Sequence, residues 1–299
     1  MLDTLISIAP LFILIALGRV LFYLKVADAN WVQVFNTYTL KLGFPALIFS
    51  SIYHSKHAIS EYQHIFVINS GYLLLIFLLG LLLLKKTKDK RTYIFCLIFN
   101  NIAFLGIPIL NRIYGNNSNT ETGFIASTYL LLIFTLGVIY LEISRSKKIN
   151  PAEVIKNLLT TPLLLAILLG MIFHITKIEL PLIIDESIEL IAISVTPIIL
   201  LSLGIFTGMI SFNKLTDLKP LLTLTILTLV VAPSLLYYLS QFTVLNLQLS
   251  IMEAAMPVAV APFAMADRFS LNKKFIAKII IISTTCSAFT LTVWHWLMN

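Results

Sequence analysis

The chain has 299 residues, of which 59% are hydrophobic and only 12% charged, and its mean hydropathy is +0.95. These values exclude an ordinary soluble domain and define a chain that crosses a membrane repeatedly. A formal net charge of +7 fits contact with anionic lipid, and a nucleic-acid role has no support beyond that basicity.

A hydrocarbon core ~30 Å thick takes about 20 residues of helix at ~1.5 Å each. Runs of that length are predicted at 2–24, 31–53, 65–84, 92–114, 122–143, 154–175, 187–210, 218–239, 247–266 and 275–298, ten in all. The expected fold class is an all-α polytopic membrane protein. The first run opens on Asp3 instead of a basic segment and is too long for a signal peptide, so it reads as a retained span. Arg19, near its end, reads as an interfacial anchor. Lys41 lies well inside the second run, where charge is costly: it pairs with an anionic substrate, or it snorkels or contacts a backbone carbonyl. His54, His57 and His64 have no acidic or cysteine ligands beside them and read as loop residues, so neither a metal nor a cofactor is expected. Cys96 and Cys286 lie inside spans and behave as small apolar residues.

The fourth run contains "NNIAFLGIPIL" (100–110), with two adjacent amides, a glycine and a proline in apolar surroundings. After it, "NNSNTETG" (116–123) reads as an outer loop, and Asp185, Glu186 and Glu189 read as the wet start of span seven. The ninth run contains "EAAMPVAVAPFAMADRF" (253–269), in which Asp267 and Arg268 read as a cap. Each proline removes a backbone donor and clashes with the carbonyl one turn earlier, so the helices are predicted to open at Pro108 and around Pro257 and Pro262. In hydrocarbon an unsatisfied backbone group costs several kcal/mol, so a break survives only in protein or beside a polar cavity. Exposed amides and the N-terminus of the second half-helix can then bind a polar substrate; a plain structural kink is the alternative. The candidate substrate-binding residues are Asn100, Asn101, Pro108, Pro257, Pro262 and Lys41. Glu253 stands 152 positions after Asn101. A carboxylate there would repel an anion unless protonated, so Glu253 is the candidate for proton coupling, with an ordinary interfacial carboxylate as the other reading.

Basic residues fix the expected orientation. One set of alternate loops holds 16 Lys and Arg, and the opposite set holds only Lys56, Arg112 and Lys177, 3 in all. Both termini are therefore expected outside a plasma (cytoplasmic) membrane such as a bacterial inner membrane. The chain also repeats itself. "PLFILIALG" (10–18) and "PLLLAILLG" (162–170) share proline and glycine at an offset of 152, and "PALIFS" (45–50) and "PIILLS" (197–202) share proline and serine at the same offset. Five spans in each half make the second copy, 150–299, inverted relative to the first, 1–149, a recurrent design of secondary transporters.

With these residues the chain resembles the auxin efflux carrier family, which includes PIN-type auxin carriers and bacterial malate permease-like transporters. The likeness rests on "NNIAFLGIPILNRIYG" and "AAMPVAVAPFAMADRF", with "FNTYTLKLGFPALIFSSI" and "TPLLLAILLGMI" in support. It implies a crossing of broken helices four and nine, a scaffold of spans 1, 2, 6 and 7, and transport spans 3, 4, 5, 8, 9 and 10 that move in an elevator-like way. It implies export or exchange of organic anions, with Asn101 at the position of the family's carboxylate-contacting asparagine. No long loop follows span five, which sets the chain apart from the plant auxin carriers. The expected function is a secondary active transporter of small organic anions such as carboxylates. An intramembrane enzyme acting on lipid or prenyl groups would need paired acids, a histidine cluster or an activated nucleophile inside the membrane, and none is visible in the sequence. A passive channel is a third possibility. Expected partners are the substrate and membrane lipid, with a homodimer left open.

Overall fold

The computed structural model describes residues 2–54, 63–85, 87–115, 118–144, 162–210 and 218–298. Lys56, His57, Lys86, the loop cations Arg145, Lys147, Lys148, Lys156 and Lys214, the predicted start of span six at 154–161 and residues 116–117 lie outside them. So do the side chains of Asp267 and Arg268.

The described residues form helices α1 (Leu2–Tyr23), α2 (Ala29–Tyr38), α3 (Phe44–Tyr53), α4 (Gln63–Leu83), α5 (Lys90–Ile98), α6 (Ile107–Tyr114), α7 (Asn119–Leu132), α8 (Val138–Ile143), α9 (Pro162–Thr176), α10 (Leu182–Met209), α11 (Leu218–Ile226), α12 (Ala232–Ser240), α13 (Gln248–Ala254), α14 (Ala261–Phe269) and α15 (Lys273–Met298). They contain no β-strand beyond one isolated bridge. Four continuous stretches are each long and apolar enough to cross a membrane: Gln63–Leu83, Leu182–Met209, Leu218–Ser240 and Lys273–Met298. Helix is the structure such sequences adopt in lipid, because it satisfies every backbone group within the segment. The described residues are those of a helical membrane protein.

Several of the predicted spans contain a widened π turn between helical pieces: Thr39–Gly43, Ile102–Gly106, Ile133–Gly137 and Leu227–Val231. Three of these turns run directly into a helix whose second residue is proline, Pro45, Pro108 or Pro233. The wider turn moves aside the carbonyl that a proline ring would strike and absorbs its missing N–H. The helix axis therefore continues through these prolines.

Two groups of helices each carry bonds within the group, and close packing also joins them, as between α1 and α6, α1 and α15, and α3 and α7. In the first, α1 packs on α10 where Gly18 meets the Leu201 carbonyl and Gly204; a Cβ on either glycine would overlap backbone. α9 packs on α3 where Gly170 meets Ile52 and the Phe49 carbonyl. Ser202 Oγ donates to Asn36 Oδ1 (2.9 Å), Tyr38 bonds Ser194 (2.6 Å), and His54 Nε2 pairs with Asp185 Oδ2 (3.1 Å). In the second group, Asn69 Nδ2 donates to Ser250 Oγ (2.9 Å), Trp294 Nε1 to the Leu229 carbonyl (2.9 Å) and Asn272 Nδ2 to Asp89 Oδ2 (2.8 Å). Each of these bonds joins helices of one group. Aromatic rings meet across the boundary: Phe44 stacks on Phe104 with centroids 5.0 Å apart, and Phe206 packs edge-on to Phe263 at 4.7 Å.

Arg19 donates to Tyr23 Oη and lies over that ring, near the end of α1, as an interfacial anchor would.

Candidate functional site

Span four is helical to Ile98, opens through Phe99–Asn101 and is helical again from Ile102. Span nine is helical to Ala254, opens over 256–260 and is helical again from Ala261. The two open stretches run antiparallel. Asn101 N donates to the Pro257 carbonyl (2.6 Å), Ala259 N donates to the Phe99 carbonyl (2.9 Å), and Asn100 faces Val258 between them. Val258 N donates to Ser283 Oγ on α15 (3.2 Å), and Asn100 Nδ2 donates to the Ala254 carbonyl (3.0 Å). Backbone groups freed by one break are thus satisfied by the other, the condition for non-helical backbone at membrane depth.

Span four opens ahead of the predicted place. Pro108 sits inside α6, beyond the π turn in which Gly106 N reaches back to the Asn101 carbonyl (2.9 Å), and causes no break. Pro257 does lie in the opening of span nine, and Pro262 is the second residue of α14, where a helix needs no N–H. The register also differs from the sequence repeat: Asn100 faces Val258, 158 positions later, so the local equivalent of Asn101 is Ala259 and not Glu253.

Beside the crossing is a cavity of about 270 Å³. Asn100, Asn101 and the first residues of both second half-helices, Ile102 and Ala261, line it. Lys41, exposed on the π turn of span two, is the one charged side chain among the described residues that line it, and it has no ion-pair partner among them. Phe44, Phe104, Leu130 and Pro162 make apolar wall, so the cavity lies between the two groups of helices. Pro108, Pro257, Pro262 and Glu253 do not line it.

Asn101 is only 2% exposed, yet its Nδ2 has no hydrogen-bond partner among the described residues; the same holds for Asn100 Oδ1. Buried polar groups in folded proteins are paired, so such orphans call for a ligand or an ordered water. Glu253 is wholly buried, and its carboxyl lies against the backbone of Gly106, where an added Cβ would overlap Oε2. Neither of its oxygens has a hydrogen-bond partner among the described residues.

Phe44, Phe104, Leu130 and Pro162 are not distinguishable in the sequence from other apolar residues of their spans, except that Pro162 opens a repeated motif. Their place in the wall depends on how the two groups of helices meet.

The fold and the site together describe a helical membrane protein with a mostly apolar cavity, edged by Lys41, Asn100 and Asn101, at paired helix breaks, a feature that recurs in transporters. The chain matches the family described as membrane transport protein over residues 3–295, and it belongs to that family. The resemblance read from spans four and nine is thereby borne out. The chain is similar to an uncharacterized transporter of Methanothermobacter thermautotrophicus, 25% identical over 297 residues that cover 96% of each chain. It is also similar to an uncharacterized transporter of Methanocaldococcus jannaschii, 24% identical over 281 residues that cover 89% of each. Family and relatives are transporters and not enzymes, and both organisms are archaea.

Proposed function

We propose that the protein is a secondary carrier of small organic anions, carboxylates above all, working by elevator-like alternating access. The observation that carries this reading is the cavity at the crossing, which Lys41 and Asn101, whose buried amide is unpartnered among the described residues, line together with the starts of two half-helices. A helix N-terminus favours an anion by ~0.3–1 kcal/mol, and up to ~2 when partly buried. A single lysine matches a single carboxylate, and the phenylalanine wall suits a carbon body. In this reading α1, α2, α3, α9 and α10 are the scaffold, and the second group carries the substrate past it. Rings in van der Waals contact slide more readily than hydrogen-bonded surfaces, which supports movement at the Phe44–Phe104 and Phe206–Phe263 boundary.

The same reading takes the chain as two inverted five-helix repeats, 1–149 and 150–299, with both termini outside. Gly18 approaches the Leu201 carbonyl as Gly170 approaches the Phe49 carbonyl, and both pairs of positions stand 152 apart. Lys25 and Lys177, also 152 apart, both leave their helices with positive φ, at 58° and 52°. Glu253 is the coupling candidate: a buried carboxylate without a partner is costly, and a carried proton removes that charge.

Counterflow in proteoliposomes tests the carrier reading. Vesicles loaded with an unlabelled carboxylate are expected to accumulate the same labelled anion transiently against its gradient. Labelled anion that merely equilibrates, in conductive steps too large for a carrier, would mark a channel instead.

A further inference from the structure

A second cavity, of about 360 Å³, shares no lining residue with the one at the crossing. It lies between the chain that links α4 to α5 and the start of α11, on the face that carries the basic loops. Lys88 and Lys219 line it with the hydroxyl-bearing Thr87 and Thr223, over the buried side chains of Leu84 and Leu224. Neither lysine has an ion-pair partner among the described residues, and no acidic residue lines the cavity.

The walls are fixed. Thr87 N and Oγ1 both bond the Leu84 carbonyl (3.0 and 2.7 Å), which folds the chain leaving α4 into a turn. Asp89, the acidic neighbour of Lys88, accepts from Asn272 Nδ2, and Asn272 N donates to Thr92 Oγ1 (3.0 Å). Tyr93, another lining residue, packs its ring against Phe275 at 4.5 Å. Two like charges therefore stand at one prebuilt hollow with no counter-charge among its described lining residues, an arrangement that an anion relieves.

We propose that this cavity binds the phosphate of an anionic phospholipid headgroup. The two ammonium groups and the Thr223 hydroxyl suit a tetrahedral oxyanion, which free phosphate also offers. The flanks decide for lipid. Leu83, Leu222 and Ile226, chain neighbours of the lining residues Leu84, Thr223 and Leu227, are 64%, 50% and 54% exposed and offer apolar surface for acyl chains. Basic pockets between helices at the inner leaflet are known places for such headgroups.

The test is thermal unfolding of the purified full-length protein in detergent with added phosphatidylglycerol, phosphatidylcholine or inorganic phosphate. Phosphatidylglycerol is expected to raise the midpoint above the phosphatidylcholine value, increasingly with concentration. Lys88→Ala/Lys219→Ala should abolish that difference, whereas Lys85→Ala/Lys90→Ala, on the same face outside the cavity, should keep it. Should the first pair fold poorly, Lys88→Gln/Lys219→Gln, which keeps the polar stems, should likewise lose the difference. Equal response of the wild type to both lipids, or equal loss in both double variants, would overturn the site. A full shift with inorganic phosphate alone would overturn the lipid assignment in favour of a soluble phosphate ligand.

Discussion

At the scale of single residues, Lys41 and Glu253 illustrate how far a charge in an apolar run can be read. Both stand out in the sequence because hydrocarbon penalises charge. What they face does not follow from sequence, because it depends on helices far away in the chain. Lys41 lies on a π turn beside the crossing, and Glu253 is packed against Gly106 out of the cavity. Different outcomes are therefore expected for the two. Lys41→Gln removes the single positive charge from the cavity. It should weaken binding of a carboxylate about tenfold or more, since a hydrogen bond to a charged group contributes ~1.5–3 kcal/mol and ~1.4 is tenfold. Titration calorimetry with the transported anion reads this directly, and unchanged affinity would place Lys41 outside the site. Glu253→Gln should leave counterflow intact and remove the pH dependence of net transport. A pH profile identical to wild type would exclude Glu253 as the proton carrier and leave membrane potential or another ion as the driving force.

At the scale of elements, helix positions were legible and helix breaks were legible only in part: span nine opens at Pro257 as expected, and span four does not open at Pro108. Apolar length alone sets where a helix can cross, and the helices fall on the predicted runs wherever the chain is described. Pro108, taken as the sign of a break, follows a widened turn instead, as Pro45 and Pro233 also do. The break in span four falls on Phe99–Asn101, where no proline stands, because pairing with the Pro257 carbonyl and Ala259 N satisfies the backbone there. Such pairing is between distant segments and leaves no local signature. Gly18 and Gly170 were legible as a repeat, but their cause is close backbone approach; Gly204, opposite Gly18, lies against the Ile15 carbonyl in the same way, whereas Gly71 has open space around it. Gly204→Leu should therefore push α1 and α10 apart and lower the thermal midpoint strongly, overpacking costing ~1–3 kcal/mol or more. Gly71→Leu should be nearly silent. Equal midpoints for the two variants would refute the close crossing.

At the scale of the whole molecule, the loop charges and the repeat support one architecture, two inverted halves around a crossing. The asymmetry of 16 to 3 is legible because it is set during insertion and needs no tertiary contact. The register at the crossing is not, because the spacing of 158 there against 152 elsewhere hides six additional residues that change no apolar pattern. The expected outer loop at 116–123 is helical from Asn119, with Thr122 buried, so the positions to label there are those ahead of α7. Single cysteines at 85–91 and at 116–117, labelled in intact cells with an impermeant reagent, should react at the second place and not the first. The reverse pattern would invert the topology and move the basic cavity to the outer face. The account stands or falls on the crossing as the place where the substrate carboxylate is held. Affinity of the transported anion for purified, monodisperse protein, compared with Asn101→Ala and Asn101→Asp, measures this. Loss of the orphaned amide donor should weaken binding by roughly one to two factors of ten, and Asn101→Asp, which sets a like charge against the anion, should weaken it further. Wild-type affinity in both variants would contradict the account and leave the crossing a structural kink.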